Sequence, residues 1–321
     1  MKIVFVIPVF NERPTLADLA AGISEHAAEH EYEMLFVDDG STDGSYEELC
    51  RLAEEHAAMR VLKLRRNFGK TAALAAAFAR AEGDVVVTMD ADLQDDPREI
   101  PRLLAKLEEG YGLVCGWKRK RHDPWHKTLP SRVYNGWISK RFGLRLHDVN
   151  TGFKAMRMEV AKRLPLYGDL HRLVAVFAAD MGYRVGEVPV EHHPRKFGHS
   201  KYGFSRFYRG ALDVHAALFL ARHGEAPGHY FGKVGYAAFA LAALSLLMIP
   251  VGAVLTPISL RDAEPAVQLV GVAVVLLWVL VPIVLAAFGF LAAGLGLLGE
   301  MLLRHLPQTD PETYIEDTYS G

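Results

Sequence analysis

The stretch Val85-Val86-Val87-Thr88-Met89-Asp90-Ala91-Asp92-Leu93-Gln94-Asp95-Asp96-Pro97 decides the fold. It opens on an apolar, mostly β-branched run without period-2 alternation, the pattern of a strand buried on both faces of a parallel sheet. The run passes straight into carboxylates, and Pro97 is suited to the first turn of a following helix. Asp90 and Asp92 thus fall at the carboxyl end of a strand, where open α/β sheets bind their ligands. Two hard-oxygen carboxylates one residue apart, with the Gln94 amide two further on, suit one Mg²⁺ or Mn²⁺ that keeps waters and meets substrate phosphates. Read alone, the motif also fits a solvated acidic turn.

The surrounding pattern favours the first reading. Strands are expected at residues 3–7, 34–37, 61–64, 113–116 and 185–190. Helices are expected at 14–28, around Leu49 and Leu52, from about 70 to 81, and at 97–109. Strands alternating with helices of this length predict a parallel sheet with helices on both faces. Polar clusters follow the first, second and fourth strands: Asn11-Glu12, Asp38-Asp39 and Asp90-Asp92. In a parallel sheet all three share one edge. A carboxylate after the second strand commonly accepts from a nucleotide in such folds. Asp39 is the first choice for that role and Asp38 the alternative. No G-x-G-x-x-G follows the first strand, which disfavours dinucleotide redox chemistry.

The net charge of −2 over 321 residues hides an asymmetry: residues 1–100 carry −10, 101–233 carry +13, and 234–321 carry −5. The basic third precedes the most apolar part, an order that suits anionic lipid head groups or phosphorylated substrates. No nucleic-acid motif accompanies the charge, so nucleic acid is not expected as a partner. Arg119, Arg121, Arg132, Arg195 and Lys201 read as a phosphate-holding set, since Arg offers a planar fork to phosphate oxygens. His192, His193 and His199 match no zinc spacing and have no nearby Cys. Cys50 and Cys115 form no disulfide framework, as in a reducing compartment. The apolar N-terminus reads as a first strand rather than a signal peptide.

Phe204, Phe207, Tyr208, Ala211, Leu212, His215, Leu218 and Phe219 fall on one helical face and predict an interfacial amphipathic helix. Residues 234–256 and 265–299 lack charged side chains, and each exceeds the roughly 20 residues that cross a bilayer. The excess of the second run, centred on 268–298, is expected to go into tilt, extension past the bilayer, or a bend near Pro282. Gly289 and Ala293 form a small-xxx-small pair suited to helix packing. Arg206, Arg209, Arg222, Lys233 and Arg304 flank the spans and predict a multi-pass inner-membrane protein with both termini cytoplasmic. The expected division is a cytoplasmic catalytic domain (1–203), an interfacial region (204–232), two spans (233–300) and a cytoplasmic tail (301–321). The tail is acidic and is expected to be draped or disordered.

With P-V-F-N-E, V-D-D-G-S-T-D-G-S, R-N-F-G-K and M-D-A-D-L-Q-D-D-P in this order, the chain resembles the family 2 inverting glycosyltransferases. The likeness runs to about residue 205 and is greatest to the branch that uses polyprenyl phosphates as acceptors. It implies a GT-A fold, Rossmann-like and mostly parallel. It implies a nucleotide-diphosphate sugar held by Pro8, Asn11, Glu12, Asp39, Lys70, Asp90 and Ala91. It implies Mg²⁺ or Mn²⁺ on Asp90, Asp92 and Gln94, with Asp92 and Asp148 in catalytic roles. Arg119, Arg121, Ser131, Arg132, Arg195, Ser200 and Lys201 correspond to acceptor- or diphosphate-binding positions. UDP-glucose is the expected donor and undecaprenyl phosphate the acceptor. A GDP-mannose-dependent synthase is the alternative, and an inactive nucleotide-binding scaffold the reading from another class. Homo-oligomer formation is left open.

Overall fold

The computed structural model describes residues 1–119, 136, 139, 142–194, 219, 226–259, 265–305 and 315–320. These fall into two compact units, one comprising Met1–Ala217 with Thr309–Gly321, the other Leu218–Gln308.

The first unit is built on one eight-stranded sheet, in the order β7-β5-β6-β4-β1-β2-β3-β8. Its strands are β1 (Lys2–Val9), β2 (Glu31–Asp38), β3 (Met59–Leu64), β4 (Val85–Thr88), β5 (Leu113–Lys118), β6 (Lys154–Arg157), β7 (Val185–Val190) and β8 (Ile315–Ser320). β1 pairs in parallel with both β2 and β4, and β2 with β3. The strand order therefore reverses between β1 and β4, and a crevice opens at the carboxyl ends of such a pair. Asn11 follows one of these strands and Asp90 the other. Helices α1 (Leu16–Ala27), α2 (Ser45–Glu55), α3 (Lys70–Arg80) and α4 (Ile100–Glu108) make the crossovers. Short helices α5 (Met158–Arg163) and α6 (Val174–Asp180) follow β6.

The uninterrupted apolar runs bury as their pattern requires. Ile3 to Ile7 and Val85 to Val87 are at most 5% exposed, so both faces of the central strands are covered. Phe5, Phe36 and Phe153 are the bulkiest fully buried side chains, each contributing about 2 kcal/mol of apolar transfer free energy.

Two features depart from an all-parallel sheet. β6 enters antiparallel between β4 and β5, so the fourth and fifth strands are not neighbours. The end of the tail is a strand rather than a draped or disordered segment: β8 pairs antiparallel with β3. The outer edge of β3 would otherwise present unpaired N–H and C=O groups, and β8 supplies their partners.

The second unit contains α7 (Pro227–Ser259) and α8 (Pro265–His305). Each contains a 24-residue segment, Pro227–Pro250 and Leu276–Gly299, long and apolar enough to cross a membrane. Leu247 is 71% and Phe290 73% exposed. The helices meet through small residues, as the Gly289/Ala293 pair predicts. A Cβ on Gly235 would stand 3.0 Å from the Gly289 carbonyl oxygen and 3.8 Å from the Ala293 Cβ. The expected interfacial helix lies outside the described residues, apart from Phe219.

Candidate active site

The loops leaving β1 to β4 are laced into one rim. Asn11 takes a left-handed φ of 56°, which its short polar side chain tolerates. Its N–H donates to Ser41 Oγ at 2.9 Å and its Oδ1 accepts from the Thr42 N–H at 2.7 Å. The Glu12 N–H donates to Ser45 Oγ at 3.1 Å. Asp39 in turn accepts from the Phe68 and Gly69 N–H groups at 2.7 and 2.9 Å. Gly40 makes this approach possible: its φ is 71°, and a Cβ would lie 2.6 Å from the Arg66 carbonyl carbon. The Thr15 hydroxyl donates to the Ala91 carbonyl at 2.6 Å, fastening the fourth loop to the first.

The two neighbouring aspartates differ in space. Asp39 spends its carboxylate on the 68–69 loop, so any nucleotide bond adds to a structural one. Asp38 accepts from the Ser41 N–H at 3.2 Å through Oδ2, while its buried Oδ1 has no hydrogen-bond partner among the described residues. Burial raises the pKa of both above the ordinary carboxylate value, against the hydrogen bonds each accepts.

The acidic centre is ringed by lysines. Lys70 Nζ forms an ion pair with Asp90 Oδ1. Burial alone would raise the Asp90 pKa, but the charges of Lys70, Lys118 and Lys154 hold it well below the usual range. Lys118 Nζ lies 3.0 Å from Asp95 Oδ1; burial opposes its charge, yet Asp95 and Asp90 raise its pKa. Lys154 is 4% exposed, donates to the Thr151 carbonyl, and has its pKa lowered by burial. Asp148 is 3% exposed and lies near both Lys118 and Lys154. His171 Nδ1 is 2.7 Å from the Thr71 hydroxyl, and burial together with Lys70 brings its pKa down to about 2, so the ring is neutral. Asp92 is buried, and its Oδ1 accepts from the Gln94 N–H at 3.2 Å. Between them Leu93 adopts a left-handed φ of 56°, strained for a residue with a Cβ.

Asp90, Asp92 and Gln94 offer only carboxylate and amide oxygens, a donor set fitted to a hard divalent cation. Gly152 leaves room for the Asp90 carboxylate to pack against it: a Cβ there would stand 2.5 Å from Oδ2.

Of the residues expected at the site, the structure groups Asn11, Glu12, Asp39, Lys70, Asp90, Ala91, Asp92, Gln94 and Asp148 around this rim, and Pro8 lies in β1 two residues before its loop. Arg119 is exposed just past β5. Arg121, Ser131, Arg132, Arg195, Ser200 and Lys201 lie outside the described residues. The sequence reading missed Lys118, Lys154, Gly152 and His171. Lys154 had a signal, standing two residues past Gly152 in the segment that carries Asp148.

It also missed Glu187, on β7. One Glu187 oxygen accepts from the His147 N–H at 2.7 Å and the other pairs with the His147 ring. That ring stacks on Trp117 at 4.1 Å between centroids. The residue preceding Asp148 is thereby clamped on both main chain and side chain. Glu187→Ala is expected to lower kcat about tenfold while leaving the donor KM nearly unchanged, as steady-state kinetics would read, because only the reacting geometry loosens.

Residues 4–164 match the glycosyl transferase family 2 model. A dodecaprenyl-phosphate galacturonate synthase of Rhizobium johnstonii is 36% identical over 256 residues, 78% of this chain and 76% of that protein. An undecaprenyl-phosphate 4-deoxy-4-formamido-L-arabinose transferase of Proteus mirabilis is 35% identical over 225 residues, 68% of each chain. Glucosyl-3-phosphoglycerate synthase of Mycobacterium tuberculosis, solved with Mn²⁺, UDP and phosphoglyceric acid, shares the fold at TM-score 0.53 and 22% identity, covering 68% of this chain and 78% of that one. The α/β sheet of the first unit agrees with the fold of that solved structure. The chain belongs to glycosyl transferase family 2, in the branch that moves a sugar onto a polyprenyl phosphate.

Proposed function

We propose that this enzyme transfers a uronic acid from a nucleotide diphosphate to undecaprenyl phosphate or a closely related polyprenyl phosphate, with a divalent cation seated at Asp90, Asp92 and Gln94. The observation that carries the cation and diphosphate seat is the loop after β4, which holds Asp90, Asp92 and Gln94 within a few residues and sets Asp90 among the charges of Lys70, Lys118 and Lys154. The names of the two curated relatives support a modified donor sugar, galacturonate first and a 4-substituted arabinose second. The expected UDP-glucose is named with a structural neighbour at 22% identity, a likeness that bears on fold alone and does not support the donor. A carboxylated sugar would also bring negative charge to a lysine-lined rim.

In this reading an acceptor phosphate oxygen attacks the anomeric carbon. The bond from that carbon to the diphosphate breaks, and its electron pair leaves with the nucleotide. Attack on the opposite face inverts the configuration. A phosphate monoester with a second pKa of about 6 is already largely dianionic near neutral pH, so no strong base is needed. Asp148 is assigned to orienting the acceptor or steadying positive charge on the sugar. Lys70, Lys118 and Lys154 place positive charge where the diphosphate gains negative charge. A bound divalent cation would add charge neutralisation there. Arg119, Arg121, Ser131, Arg132, Arg195, Ser200 and Lys201 stand as acceptor and diphosphate contacts on sequence grounds. The proposed location is the inner membrane, with α7 and α8 crossing it and the catalytic domain cytoplasmic, supported by the flanking Arg and Lys residues.

The test is product mass in the organic phase after incubating the purified chain and undecaprenyl phosphate with UDP-galacturonate, UDP-4-formamido-arabinose, UDP-glucose or GDP-mannose. The expected result is a galacturonyl lipid, lost in EDTA and restored by Mn²⁺ or Mg²⁺. A glucosyl lipid alone would return the donor to UDP-glucose. No product with any donor would favour the scaffold, and full activity in chelator would remove the cation.

A further inference from the structure

The strand-like segment after β7 is zipped to the acidic loop. Asp95 and His192 form an isolated antiparallel bridge. The Glu191 N–H donates to Glu99 Oε1 at 3.2 Å. His193 makes three bonds. Its N–H donates to the Gln94 carbonyl at 2.9 Å, its own carbonyl accepts from Gln94 Nε2 at 3.3 Å, and its ring Nε2 lies 2.8 Å from Asp96 Oδ2.

Gln94 is therefore held on main chain and side chain by one residue. Because the His193 carbonyl can only accept, it fixes the amide's orientation: the nitrogen faces His193, and Oε1 stays out of that bond. The strain at Leu93 sits just before Gln94. Such a conformation persists where its surroundings over-determine it. The two bonds from His193 supply that constraint, and the ring bond to Asp96 anchors His193 itself. Asp96 is a firm anchor: it is 6% exposed, caps the turn at Pro97 by accepting from the Arg98 N–H at 3.0 Å, and pairs with the Arg98 guanidinium at 2.6 Å.

We infer that His193 is a positioning residue for the cation seat, holding the Gln94 amide so that its oxygen, not its nitrogen, is available to a divalent ion. The inference rests on the proposed seat at Asp90, Asp92 and Gln94, and it concerns binding of the ion rather than sugar transfer.

The test measures Mn²⁺ affinity of the detergent-purified full-length chain by the electron paramagnetic resonance of free Mn²⁺, with and without UDP. His193→Leu keeps the volume and removes the ring donor. It is expected to weaken Mn²⁺ binding about tenfold, in line with losses at residues that orient metal ligands. His193→Asn keeps a side-chain donor and is expected to bind nearly as the wild type does. Thermal melting reports folding, and His193→Ala replaces the Leu variant if that one does not fold. Wild-type affinity in the donor-free variant, or equal weakening in the Leu and Asn variants, overturns the role of His193. Asp92→Asn serves as the control for the seat. If it binds Mn²⁺ as the wild type does, or if the wild type binds none, the seat itself fails and His193 with it.

Discussion

Asp92→Asn is expected to lower kcat/KM for sugar transfer to polyprenyl phosphate by about a thousandfold, the upper range for removing one electrostatic partner of a developing charge. Asp92 is 6% exposed and its Oδ1 accepts from the Gln94 N–H. Asn has nearly the same shape, and its carbonyl oxygen can accept the same bond. The strained turn through Leu93 should therefore survive, and the melting temperature should stay close to that of the wild type. What disappears is one negative charge two residues from Asp90, whose own charge Lys70, Lys118 and Lys154 already offset. A divalent cation would then meet a single carboxylate, Asp90, beside the Gln94 amide, and Asp90 is already paired with Lys70. The loss should appear in kcat and in Mn²⁺ affinity together, because both depend on the same charge. A fall of less than about tenfold in kcat/KM would remove Asp92 from the cation seat, since losing one such preorganised partner costs about a hundred- to a thousandfold.

The centre of this site was legible because the chemistry lies in the local pattern. An apolar run that ends in Asp90 and Asp92 announces both a buried strand and the rim it feeds. Chain direction alone then brings Asn11 and Asp39 to the same edge. The antiparallel strands were not legible for physical reasons. Lys154–Arg157 is only four residues long, and its identity as a strand depends on the gap between β4 and β5. Ile315–Ser320 is a strand because β3 offers it an edge, more than 250 residues earlier in the chain. The lysines were hidden differently. In W-K-R-K-R a lysine aimed inward at Asp95 and Asp90 has the same local signature as one aimed at water. Glu187 and His193 act across elements distant in sequence, so no spacing could mark them. Gly152 acts by the space it leaves, which only the fold reveals.

That space gives the second large effect. Gly152→Ala is expected to lower kcat/KM about a hundredfold, the scale of a 1 Å misplacement in a reacting constellation, with little change in stability. The added Cβ would lie 2.5 Å from Asp90 Oδ2, 2.8 Å from its Cγ and 2.9 Å from Oδ1. These are side-chain atoms at the end of a short arm, so the carboxylate can swing while the backbone stays. The Gly152 carbonyl can keep its bond from the Thr88 hydroxyl, at 2.7 Å, which holds the segment to β4. The clash therefore falls on the group proposed to hold the cation rather than on the fold. A displaced Asp90 pulls away from Lys70 and leaves the cation seat proposed for it and Asp92. Melting temperature, Mn²⁺ affinity and kcat/KM separate the possibilities. Stable protein with weakened Mn²⁺ binding and slow transfer is the expected triad. Wild-type activity would mean that the carboxylate has room to move without losing its function, and would place the essential charge on Asp92 alone. A large drop in melting temperature would instead show that the backbone at Gly152, and not the Asp90 side chain, yields to the methyl group.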